Sequence, residues 1–167
     1  RNRIQNYNSR KNFRTGGGDS CLGDLYKIED GKLTSIPDGS EMKNNGELHV
    51  DYTYVRAIEK CKKGNKNYKF NIPKKVKAIG DYTFDKSPWK EIIIPKSVTS
   101  IGDSAFARCH KLTSITIPNS VTTIGKGAFE ECSSLTSITI PDSVKEIGEK
   151  AFGECSSLEK VVIGDGV

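Results

Sequence analysis

The chain has 167 residues, 35% of them hydrophobic and 28% charged, which is enough for one domain with an appendage and excludes a multidomain machine. Its mean hydropathy is −0.51, and no stretch approaches the roughly 18 consecutive apolar residues of a helical membrane span. The formal net charge of +5 is uneven: residues 72–167 carry twelve Lys/Arg against twelve Asp/Glu, and residues 1–71 carry fourteen against nine.

The excess opens the chain. In RNRIQNYNSRKNFRTGGG, the bases Arg1, Arg3, Arg10, Lys11 and Arg14 precede any acidic residue, no apolar period is visible, and the text ends in Gly16-Gly17-Gly18. Residues 1–20 therefore read as a basic flexible arm. Such an arm keeps a protein in solution, or meets phosphate, acidic protein or anionic lipid through counterion release, with Tyr7 and Phe13 available for stacking on bases. The glycine run lacks the following Lys-Ser/Thr of a phosphate loop and is a linker. A chain that begins at Arg1, with no signal peptide in view, is expected to be a piece of something longer.

Two hairpin signals follow: Asp30-Gly31 between Tyr26-Lys27-Ile28 and Leu33-Thr34-Ser35-Ile36, and Asn45-Gly46 before Leu48-His49-Val50. Residues 21–71 are expected to form an irregular, β-rich N-terminal cap of degenerate repeats. Ala57, Ile58 and Cys61 reproduce a spacing found downstream, and Leu33-Thr34-Ser35-Ile36-Pro37 reads like a downstream strand. The basic run Lys60, Lys62, Lys63, Lys66 and Lys69 is broken by Gly64, Asn65 and Asn67 and reads as a solvated loop.

From residue 72 the text repeats. Segments 94–116, 117–139 and 140–162 align without a gap over 23 residues each, 72–93 is the same unit shortened by one residue, and 163–167 begins a fifth. Within a unit, Ile115 and Ile117 alternate with Ser114 and Thr116, the pattern of a strand with one buried face. So short a strand needs partners, and stacked coils supply them about 4.8 Å away. Pro73, Pro95, Pro118 and Pro141 end the strands, because proline has no N–H to donate. The returning half turns Val121, Ile124, Ala128, Phe129 and Cys132 inward. Gly80, Gly102, Gly125 and Gly148 mark either a positive φ or a close approach by the next coil. Phe84, Phe106, Phe129 and Phe152 are expected to form a buried aromatic column, in which truncation to Ala costs about 3 to 5 kcal/mol.

The pattern I-P-x-S-V-x-x-I-G-x-x-A-F-x-x-C-x-x-L-x-x-I-x resembles the BspA-like branch of the leucine-rich repeat proteins across residues 72–167. Ser97, Ser120 and Ser143 stand near the place where the commoner leucine-rich pattern has Asn, so an Asn ladder does not transfer. The resemblance implies a β-rich solenoid: a right-handed coil with a parallel sheet on one face and short helical or 3-10 turns on the other. It also implies extracellular or cell-surface proteins associated with adhesion, no catalysis, and no particular ligand.

Convergent chemistry is scarce. Cys109, Cys132 and Cys155 recur at the repeat period and stack in a column, where metal ligands must converge; parallel Cβ vectors also suit disulfides poorly, so buried thiols are expected. Cys61 fits the column in a degenerate coil, and a Cys21–Cys61 bridge remains an alternative. Cys109 beside His110 makes no dyad, because neighbouring residues on an extended segment point apart, and His49 has no partner at ligand spacing and reads as a polar strand position. No catalytic residue, metal or cofactor is therefore expected. What remains is the outward strand surface, in rows: Lys90, Glu91, Ile93; Thr113, Ser114, Thr116; Thr136, Ser137, Thr139; Glu159, Lys160, Val162. Exposed threonines also suit any sheet, so these rows serve either recognition or strand formation. The leading expectation is a protein-binding or adhesion module whose partner is a host, matrix or assembly protein. A structural subunit or scaffold in a larger assembly, joined through the open coil at Val167 or through the basic arm, comes second, and nucleic-acid binding through residues 1–14 third.

Overall fold

The computed structural model describes residues 26–35, 41–42, 48–49 and 69–167. The chain divides into two compact units, residues 28–34 with 67–167 and residues 1–27 with 35–66. Strands β1 (Tyr26–Glu29) and β2 (Lys32–Ser35) are neighbours joined by Asp30-Gly31, whose positive φ values of 49° and 77° suit a two-residue turn that matches the right-handed twist of the strands. Strands β3 (Glu41–Met42) and β4 (Leu48–His49) pair antiparallel, Met42 opposite Leu48, as the Asn45-Gly46 signal predicts. Residues 1–25 and 50–68, with the basic arm, Cys21 and Cys61, lie outside the described residues.

The repeats form a parallel β-solenoid in which each coil places one strand in each of two ladders. The first ladder holds β5 (Lys69–Asn71), β7 (Glu91–Ile93) and β9 (Ser114–Thr116), and then, as a separate pair, β11 (Ser137–Ile140) and β13 (Lys160–Ile163). The second runs from β1 and β2 through β6 (Ala78–Ile79), β8 (Ser100–Ile101) and β10 (Thr123–Ile124) to β12 (Glu146–Ile147). Equivalent residues stack in register: Phe70, Ile92 and Ile115 in one ladder, Leu33, Ile79, Ile101, Ile124 and Ile147 in the other. Leu33-Thr34-Ser35 thus reads like Leu112-Thr113-Ser114 but stacks in the opposite sheet.

The far side of the coil corrects the expectation of helical or 3-10 turns: β6, β8, β10 and β12 lie there, and the described residues contain no helix. The reason lies in the Ala-Phe segment. Each coil has two left-handed residues there, Tyr82 and Lys86, Ser104 and Arg108, Gly127 and Glu131, Lys150 and Glu154, with φ between 51° and 60°. A helix cannot propagate through them. They aim alternate N–H groups at the following coil instead, as where Ser104, Phe106 and Arg108 donate to the carbonyls of Lys126, Ala128 and Glu130 at 2.7–2.8 Å.

The core lies between the ladders. Phe84, Phe106, Phe129 and Phe152 stack nearly parallel, with centroids 5.1–5.4 Å apart. Phe70 closes the column edge-on to Phe84 at 5.4 Å and touches Trp89, which fills the place that Leu112 and Leu135 hold in later coils. Val121, Ile124, Ala128, Phe129 and Cys132 are all buried, as their period requires.

Candidate functional site

The first ladder presents the outward rows. On β9 and β11 the isoleucines Ile115 and Ile138 are buried, and Ser114, Thr116, Ser137 and Thr139 are exposed. The ladder sets Glu91 beside Ser114 and Ile93 beside Thr116, and, on the other pair, Ser137 beside Lys160 and Thr139 beside Val162. Lys90, Thr113, Thr136 and Glu159 form the flanking row and are exposed, while Glu91 and Ile93 are half-buried. The predicted strand residues therefore lie on the outer side of two adjoining sheets, with Lys90, Thr113, Thr136 and Glu159 just ahead of the strands.

That face is less uniform than its sequence. Thr113 donates its hydroxyl to the Lys90 carbonyl at 3.2 Å and its N–H to the same oxygen at 2.9 Å, so this threonine serves the stack as well as the surface. Lys69 lies 3.8 Å from Glu91, an exposed pair worth about 0–1 kcal/mol. Between β9 and β11 the strands adjoin without forming a ladder, which leaves polar backbone between the two exposed Ser/Thr pairs.

The thiols Cys109, Cys132 and Cys155 are free. Each donates to the carbonyl of the preceding coil's phenylalanine, Phe84, Phe106 or Phe129, at 3.0–3.1 Å. Ser87 continues the column, its Oγ 3.3 Å from Cys109 Sγ. Contact with the Cys109 thiol, and burial, hold the Cys132 thiol well above the ordinary range, and burial pushes Cys155 up as well. Cys132 and Cys155 therefore stay protonated at neutral pH and are poor nucleophiles, while the same contact with Cys132 lowers the Cys109 thiol. His110 is exposed and pairs through Nδ1 with Ser133 Oγ at 3.2 Å, away from the buried Cys109. His49 is part of β4. Among the described residues no three His, Cys, Asp or Glu side chains converge as a metal site would need, and no helix is long and apolar enough to cross a membrane.

Sequence reasoning missed two further features. Asp81 and Asp103 each accept an N–H from the following coil, that of Asp103 at 2.8 Å and that of Lys126 at 2.9 Å. Asp142 does the same for Asp165 at 2.8 Å. The period was readable, but Lys126 and Glu149 interrupt the aspartates and hide the row. The second feature is the Arg108–Asp85 pair, bidentate at 3.1 and 2.7 Å; the hydrogen bond to Asp85 holds the guanidinium above its ordinary pKa.

Two parallel ladders closed over one continuous apolar column, with polar groups in rows along the outside, define a solenoid repeat protein. The chain belongs to the BspA type leucine-rich repeat region family, whose model matches residues 59–167 in six copies. It is similar to the leucine-rich repeat protein of T. pallidum, with 27% identity, a TM-score of 0.58, and 81% of this chain and 66% of that one covered. A leucine-rich repeat protein of Bacteroides ovatus gives 29% and 0.56 over 82% of this chain and 39% of that one. The pneumococcal vaccine antigen PcpA gives 25% and 0.60 over 87% and 32%. The chain thus spans less than two thirds of the length of these solved structures. No curated protein matches it.

Proposed function

We propose that this chain is a non-catalytic binding module of an extracellular or cell-surface protein, and that it captures a protein partner on the outer face of the first ladder. One observation carries the reading: outward side chains of successive coils stand in rows, half-buried Glu91 beside exposed Ser114 and half-buried Ile93 beside exposed Thr116, over a packed core. A vaccine antigen among the similar structures fits the surface location. In this reading residues 21–71 cap the stack, and the basic arm, residues 1–20, takes no part in the sheet face.

The test is capture of this chain by immobilised host matrix proteins. Thr116→Arg with Thr139→Arg places two long cations on the face without touching the core. The expected result is at least about a tenfold loss of affinity with an unchanged melting temperature. Capture at parental strength removes the sheet face from consideration.

A second reading, a structural subunit joined through the end of the stack, is favoured by the exposure of Val161, Ile163 and Val167 at 44%, 59% and 54%. There Ile163→Lys should abolish end-to-end species in light scattering, and species that persist would overturn it.

A further inference from the structure

One column of the stack carries a charge pattern that the sheet face does not use. The residue after each strand-ending proline, or after the glycine that replaces it, is Lys74, Lys96, Asn119, Asp142 and Asp165 in successive coils. All five are exposed. Along the axis they read cation, cation, neutral, anion, anion, one coil or about 4.8 Å apart. Among the described residues neither lysine has an ion-pair partner, and one oxygen of Asp142 accepts the Asp165 N–H at 2.8 Å. The stack as a whole shares the gradient: residues 72–116 carry eight Lys/Arg against four Asp/Glu, and residues 117–167 carry four against eight. A second graded column, Lys86, Arg108, Glu131 and Glu154, is less free, because Arg108 is already clamped by Asp85.

The column is its own complement when reversed. We propose that this corner is a self-association surface, on which a second copy of the chain lies antiparallel with the two-fold axis at Asn119. Lys96 then faces Asp142 of the second copy, Lys74 faces Asp165, and each contact occurs twice. A parallel arrangement sets Lys96 against Lys96 and Asp142 against Asp142, so the charges select the antiparallel one. The flanking columns set no like charges opposite each other about the same axis: Lys145 meets Thr99, Thr122 meets itself, and Lys75 meets Gly166. An isologous contact of this kind closes at two copies. It uses a corner of the stack and does not depend on the partner proposed for the sheet face.

The test uses the whole chain. Sedimentation velocity should show a dimer at about 0.01 M ionic strength, where charges act over about 30 Å, and a monomer at about 1 M, where they act over about 3 Å. Lys96→Asp and Asp142→Lys should each weaken the dimer at least about tenfold, and the two together, which restore opposite charges, should recover it. Orientation is read by cysteine crosslinking. Asn119→Cys should bridge to its own copy on mild oxidation, whereas Lys74→Cys should not, since its two copies stand about 19 Å apart along the axis. A monomer at low ionic strength overturns the proposal. So does a dimer indifferent to Asp142→Lys, or Lys74→Cys bridging as readily as Asn119→Cys.

Discussion

The glycine that follows the second-strand isoleucine recurs because of what lies beneath it. Its φ is ordinary, unlike that of Gly127; a Cβ on Gly125 would sit 2.5 Å from the Gly102 carbonyl carbon and 2.6 Å from the Asp103 nitrogen. Both atoms are backbone and cannot swing aside. Gly125→Ala should therefore push two coils apart and cost about 3 kcal/mol or more. Gly153, where the nearest atom to such a Cβ is the Lys150 oxygen at 3.3 Å, is the less crowded site, and Gly153→Ala should cost less than Gly125→Ala. Urea midpoints of the two variants check this, and equal midpoints would contradict the close-approach account. The sequence showed that these glycines recur and offered two causes. It hid the true left-handed positions, because Tyr82, Lys86, Arg108 and Glu131 are residue types that seldom adopt that conformation.

Between the Ala-Phe turn and the next strand, one element does more than the sequence suggests. The cysteine column was legible from its period, and its members were expected to act as small apolar groups. Their bonds to the phenylalanine carbonyls were not legible, although Ser87 in the same column was a hint that a donor belongs there. The raised thiol pKa of Cys132 and Cys155 has a consequence with a definite sign. The folded thiols bind their protons more tightly than unfolded ones, which titrate near pH 8.5, so this part of the stability is complete below about pH 8.5 and fades as pH rises above it. The share of the parent's stability held by Cys132 and Cys155 should fall across the mildly alkaline range, opposed by Cys109, whose thiol the Cys132 contact lowers. Cys132→Ser keeps a donor for the Phe106 carbonyl and removes the titrating group, so its midpoint should fall less over the same range. Parallel pH profiles for the two proteins would remove the thiols as the cause.

At the scale of the molecule, the 23-residue period fixed the order of the coils, the buried column and the rows of the candidate face, because stacking in register leaves one arrangement for like side chains. It did not fix where the backbone ladder breaks, since Thr113-Ser114-Ile115-Thr116 and Thr136-Ser137-Ile138-Thr139 are identical in text and differ only in their hydrogen bonding. Nor did it show that the coils are polar, each Ala-Phe turn donating to the coil that follows it. The stack is therefore unequal along its length, and hydrogen exchange measures the inequality. The N–H groups of Phe84, Phe106 and Phe129 are bonded at 2.7–2.8 Å, whereas those of Lys150, Phe152 and Glu154 find no acceptor among the described residues. Amides of the last turn should exchange orders of magnitude faster than those of Phe106 and Phe129, whose opening requires coils to separate. In the face sheet, Thr136 should exchange faster than Thr113, because only the latter is bonded across the ladder, at 2.9 Å to Lys90. Uniform protection from Phe84 to Phe152 would mean that the last coil is covered in solution, and protection of Thr136 equal to that of Thr113 would mean that β9 and β11 form a closed ladder there.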